Sequence, residues 1–82
     1  MAKEWTRSYR KAVVNTLKTI EANPGIAWRD IDMPFQSRVD MYNDLVNSKC
    51  ITIEYINRIG CCRIEAAGKR YLKDVVDMGL AM

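Results

Sequence analysis

Eighty-two residues leave room for one domain, read over 1–82, with a core too thin to enclose a deep substrate pocket. The net charge is only +3, but the ends are basic and the middle is acidic: residues 1–18 hold five Lys/Arg and one acid, 19–57 three and six, and 58–82 five and three. The chain has no histidine, which removes the usual general base and the commonest metal ligand.

Other chemistry is equally unsupported. The carboxylates, lysines and thiols fall in no catalytic or metal-ligand spacing, and the four glycines are isolated, so no phosphate loop is expected. We expect no enzyme, no cofactor and no metal. Cys50, Cys61 and Cys62 read as reduced thiols, because neighbouring strand residues point to opposite faces and cannot easily bridge. No apolar run approaches the ~20 residues of a membrane span, and Met1–Trp5 has charge without a following apolar region. These features predict a cytoplasmic protein without a membrane partner.

The first predicted element is a helix over Lys3–Ala22. At 100° per residue, Trp5, Tyr9, Ala12, Val13, Thr16, Leu17 and Ile20 share one side. Lys3, Arg7, Arg10, Lys11 and Lys18 gather on the other, with Val14 as an apolar intruder. Asn23-Pro24-Gly25 stops the helix, since a residue before proline is pushed out of the α region. Ile26-Ala27-Trp28 reads as extended and Arg29–Asp32 as one helical turn before Met33-Pro34. Trp5, Tyr9 and Trp28 are expected in the core.

A second helix is predicted from Phe35 or Gln36 to about Ser48, burying Phe35, Val39, Tyr42, Leu45 and Val46. Its exposed face would carry Gln36, Ser37, Asp40, Asn43, Asp44 and Asn47. Ile51–Ile56 alternates and is rich in β-branched residues, Asn57–Gly60 supplies a turn with Gly60 suited to a positive φ, and Cys61–Ile64 returns as the partner strand. A closing helix follows over about Glu65–Met78, with Ala67, Tyr71, Leu72, Val75 and Val76 apolar and Gly79 at the C-terminal cap position. The predicted class is α+β and mostly helical.

Two runs carry a family resemblance. Asp44-Leu45-Val46-Asn47-Ser48-Lys49-Cys50-Ile51 resembles the end of a recognition helix entering a wing. Ile64-Glu65-Ala66-Ala67-Gly68-Lys69-Arg70-Tyr71-Leu72 is similar to the helix that follows the wing in winged helix-turn-helix domains. The resemblance implies a winged-helix-like three-helix core with a C-terminal β-hairpin wing and a closing helix. Three positions depart from the family pattern. The stretch Trp28–Phe35 is short for two helices and a turn, Ser48-Lys49-Cys50 replaces the usual glycine, and Glu65 replaces a Ser or Thr cap.

The resemblance implies binding to duplex DNA through the second helix and wing. Gln36, Ser37, Arg38, Asn43 and Asn47 would face base edges, while Arg58 and Arg63 on the wing would join Lys69, Arg70 and Lys73 of the closing helix into one basic surface. Asp40 and Asp44 oppose that reading. The alternative is a winged-helix protein-interaction module, such as an accessory or inhibitory protein of a bacterium or its phage. Its interface would use Ile59 at the wing tip and Tyr71, Val75 and Met78 of the last helix, which in many winged-helix regulators forms a homodimer.

Overall fold

A computed structural model describes residues 6–33 and 37–77, the last two without their side chains. Lys3, Trp5, Phe35, Gln36, Met78 and Gly79, which figure in the expectations above, lie outside the described residues, as does the Val76 side chain. The elements run α1 (Arg7–Ala22), a 3-10 turn (Trp28–Asp30), α2 (Arg38–Asn47), β1 (Ile51–Ile56), β2 (Ile59–Ile64) and α3 (Ala66–Asp77). The class is α+β, as predicted. Among the described residues no helix is long and apolar enough to cross a membrane.

Thr6 caps α1, its Oγ1 accepting from the Tyr9 N–H at 3.1 Å. The helix ends at Asn23, whose N–H and Nδ2 both donate to the Thr19 carbonyl. Gly25 then takes φ 89 and donates its N–H to the Cys62 carbonyl at 2.9 Å, turning the chain onto β2. Val13, Val14, Thr16, Leu17 and Ile20 are buried.

Val14 is therefore core, not an intruder on a polar face. The buried residues span an arc of about 160° at 100° per residue, because α1 packs against both β2 and α3. Arg10 falls inside that arc and is half-buried, so it leaves the basic stripe expected of this helix.

α2 begins at Arg38 and buries Met41 and Leu45. Val39, expected inside, is 70% exposed. The buried phase is rotated because α2 is clamped from two sides. The Arg38 guanidinium donates to the Trp28 and Ile31 carbonyls at 2.8 and 2.7 Å, and Tyr9 Oη donates to Asp44 Oδ2 at 2.6 Å. Asp44 is thus tied to α1 and not left on a free helix face. Burial and the Asp44 carboxylate together hold the Tyr9 hydroxyl far above its usual range.

The end of α2 uses a left-handed residue without glycine. Lys49 has φ 61, its N–H donates to the Val46 carbonyl and the Cys50 N–H donates to the Leu45 carbonyl. This pair of bonds is a Schellman closure, with lysine at the position glycine usually fills.

β1 and β2 form an antiparallel hairpin in which Ile51 faces Ile64, Ile53 faces Cys62 and Ile56 faces Ile59. The turn is Asn57-Arg58, with φ 51 and 67, so the positive φ expected at Gly60 sits two and three residues earlier. A two-residue turn with both centres left-handed matches the strand twist, and Gly60 is left as a strand residue. Ala27 bridges Cys61, and the Cys62 N–H donates to the Ile26 carbonyl, so the predicted extended piece lies along the far edge of β2.

α3 rests directly on β1's entry. A Cβ on Gly68 would collide with the Cys50 carbonyl oxygen and lie 2.9 Å from Ile64 Cγ1. Alanine favours helix over glycine by roughly 1 kcal/mol, yet here it must push backbone. We predict that Gly68→Ala lowers stability by about 2–3 kcal/mol in chemical denaturation.

Cys62 is fully buried, and burial followed by the neighbouring Cys61 pushes its thiol up to about 11. The unfolded chain releases that proton near pH ~8.5, so the stabilisation is complete below that pH and is lost as pH rises toward the folded value. The melting temperature should fall between about pH 8.5 and 11. Cys62→Val should make that fall shallower, with Tyr9 accounting for a remainder in the same direction.

Candidate interaction surface

The tip of the hairpin, the 3-10 turn and α2 meet at Tyr42. Its ring stands edge-on to Trp28, with centroids 5.6 Å apart and planes at 81°. Its hydroxyl lies 3.1 Å from that of Tyr55, and this contact is the leading cause of a raised Tyr42 pKa. Tyr55 sits opposite Gly60 in the hairpin, and a Cβ on Gly60 would be 3.4 Å from Tyr55 Cε1. The tyrosine ring thereby covers the gap left by the missing side chain.

Arg58 completes this end of the molecule. It is exposed at the turn and borders a hollow with Trp28, Arg29, Tyr42, Tyr55 and Ile59. Val39 borders a second hollow with Trp28, Arg38 and Tyr42. Among the described residues the exposed large hydrophobics are Val39, Tyr55 and Ile56, at 70%, 67% and 49%. Tyr55 and Val39 each border a hollow on the Trp28–Tyr42 pair, while Ile56 adjoins the turn on the hairpin face opposite Tyr55. The result is an aromatic and aliphatic face rimmed by Arg29 and Arg58.

Of the basic residues expected to share one surface, Arg63 and Lys69 are brought together. Arg63 and Lys69 border the same hollow as Glu21 and Pro24, beside the end of α1. Arg58 lies five residues away along an extended strand, roughly 17 Å. Arg70 and Lys73 are exposed on α3. The Arg38 guanidinium gives two of its N–H donors to the Trp28 and Ile31 carbonyls, which ties it to the 3-10 turn.

On α2, Asn43 and Asn47 are exposed and Ser37 is half-buried. Ile59 is half-buried and faces Ile56 across the hairpin. Of the expected interface on the last helix, Tyr71 is half-buried and Val75 is core at 4% exposure. Val75 turns inward because α3 packs against α1 through the arc that also carries Leu72. Gln36 and Met78 lie outside the described residues.

Sequence reasoning missed Arg29, Tyr42 and Val39 as surface groups, while Trp28, expected in the core, is half-buried and packs against it as it borders both hollows. Placing the turn at Asn57-Arg58 would have put Tyr55 opposite Gly60, and this was the one readable signal. Chemically, the face can bury apolar area, stack and donate from two guanidiniums. Among the described residues no group of three or more His, Cys, Asp or Glu could hold a metal ion. Comparison with family models, with curated proteins and with solved structures finds no match.

Arg58 holds a left-handed backbone that costs an L-residue roughly 1–2 kcal/mol, against roughly 0.5–1 kcal/mol of extra unfolded-state entropy for glycine. Arg58→Gly should therefore stabilise the fold by about 0.5–1 kcal/mol in thermal or denaturant unfolding. A loss of stability would show that the Arg58 side chain contributes to folding.

Proposed function

We propose that this chain is a winged-helix-like protein-interaction module that docks through the Trp28–Tyr42–Tyr55 face. The observation that carries this reading is that exposed Tyr55 shares a hollow with Trp28, Tyr42, Arg29 and Arg58, while exposed Val39 borders a second hollow on the same Trp28–Tyr42 pair. Tryptophan, tyrosine and arginine dominate the energetics of protein interfaces, and an apolar centre with a charged rim is their usual layout. The strained Arg58 supports the same view, because a costly backbone conformation is retained at an exposed tip. Its chemistry suits an acidic rim on the partner.

The element order and the isolated β-bridge from Ala27 to β2 support the winged-helix-like reading. Duplex DNA is the second reading. It is favoured by Arg29 and Arg58 standing on the same hollow as Tyr42, with Asn43 exposed on α2. The described part of α2 weighs against it, because that face presents Asp40 and Val39 while Arg38 is turned inward. Phosphates spaced at one charge per ~1.7 Å reward cations that this helix does not offer.

Affinity capture from a nuclease-treated lysate of the native cell tests the proposal. The wild type should retain a protein partner that Val39→Asp and Arg58→Glu both lose, while Lys73→Glu on α3 keeps it. Loss of the captured protein after nuclease treatment would overturn this reading. So would retention on mixed-sequence duplex at ~50 mM salt that Arg58→Glu abolishes.

A further inference from the structure

β1 has one paired edge and one open edge, and the ladder shows which backbone groups the open edge presents. The Cys62 N–H and C=O both leave β2 toward residues 25 and 26, so the facing Ile53–Cys62 pair exchanges no hydrogen bonds within the hairpin. The Glu65 N–H donates to the Cys50 carbonyl at 2.8 Å, which extends the same register by one pair and makes that pair a bonded one. Alternation then assigns Thr52, Glu54 and Ile56 to bonds with β2. The N–H and C=O groups of Ile51, Ile53 and Tyr55 point away from it.

A groove runs along this open edge. It touches Ile51, Thr52 and Ile53 in succession, although their side chains alternate between faces, and only the strand's edge offers all three to one space. The groove measures about 630 Å³ and is lined also by Tyr42 and Val46 of α2 and by Ala66 and Ala67 of α3. Among the described residues no backbone or side-chain group bonds the edge amides and carbonyls of Ile53 and Tyr55.

Natural proteins usually protect such an edge with proline, charged side chains (lysine above all), a bulge or a covering loop. Ile51-Thr52-Ile53-Glu54-Tyr55-Ile56 has no proline, lysine or bulge, and its one charge is Glu54, whose backbone is used toward β2. Lys49 stands at the groove's end, exposed and held at φ 61 where glycine would be unstrained. Glu65, the acid on the same groove, has its Oε2 taken by the Thr52 hydroxyl at 3.0 Å. The groove thus combines a row of backbone donors and acceptors, apolar walls and a cation retained at a conformational cost.

We propose that the open edge of β1 is a strand-addition site for an extended segment of a partner polypeptide, with alternate apolar side chains in the groove and a carboxylate on Lys49. A third strand beside β1 would satisfy the Ile53 and Tyr55 backbone as a ladder does, and the groove walls would select the side chains that face them. This rests on the reading of the chain as a protein-interaction module, and it assigns the mode of contact and the chemistry of the segment. The groove shares Tyr42 and Tyr55 with the docking face but excludes Val39 and Arg58.

A displayed library of random dodecapeptides, selected on the full chain, tests it. Enriched peptides should carry alternating β-branched or aromatic residues and an acidic residue near one end. In synthetic form, their binding should slow hydrogen exchange at the Ile53 and Tyr55 amides. N-methylation at alternate peptide residues should weaken binding at least tenfold while leaving the protein unaltered. Selection on Lys49→Glu should shift the charged residue from acidic to basic. Val39→Asp and Arg58→Glu should bind the same peptides, so failure of the docking face and failure of the groove are separable.

No enrichment over an unrelated protein would overturn the proposal. So would N-methylated peptides that bind equally well, or protection that falls on α2. Concentration-dependent protection of Ile53 and Tyr55 without peptide would also overturn it, because a second copy would then be the occupant.

Discussion

The backbone of Cys50 is where four elements are held to one another. Its N–H closes α2 on the Leu45 carbonyl, and its own carbonyl accepts the Glu65 N–H that joins β1 to the end of β2. The same carbonyl oxygen lies where a side chain on Gly68 would have to go, so α3 crosses β1 at backbone distance. Both backbone polar groups of a buried residue are satisfied while two helices and two strands converge on it, and this is the arrangement that buried backbone demands. The closure depends in turn on Lys49 accepting a left-handed conformation that a lysine does not favour.

From that junction the register propagates outward. The Cys50–Glu65 bond sets Ile51 against Ile64, and the count then leads to Tyr55 against Gly60 and to a turn of two residues. Tyr55 is thereby carried over the glycine and toward Tyr42, whose own position follows from Arg38 gripping the Trp28 and Ile31 carbonyls. The exposed aromatic face is thus a consequence of the hairpin register and of one internal arginine. The open edge of β1 follows from the same alternation, since groups not used toward β2 must point the other way.

The charges are arranged with similar economy. Arg38 and Asp44, both on α2, are spent on carbonyls and on Tyr9, and Arg10 is half-buried. Arg29 and Arg58 remain with the aromatic face, while Arg63 and Lys69 sit near Glu21 at the other end of the hairpin. The two arginine-bearing ends of the hairpin therefore border different hollows, and only Arg63 shares one with a lysine of α3 among the described residues.

Helix and strand identities were determined by the sequence alone, because their causes are local, whereas the left-handed turn residues proved to be Asn57 and Arg58 and not Gly60. Asn23-Pro24-Gly25 ends α1, β-branched alternation makes Ile51–Ile56 a strand, and a helix follows Ile64. The burial of Leu45 was legible for the same reason. Which side of each helix faces inward was decided only by the tertiary structure. Val14 became core because α1 is packed on two sides, and Val39 became surface because Arg38 and Asp44 tie α2 from either end. Periodicity reports that a helix has an apolar side, but partners distant in sequence choose its rotation. The interaction face and the strand edge depend on that choice, which is why they emerged only with the packed fold.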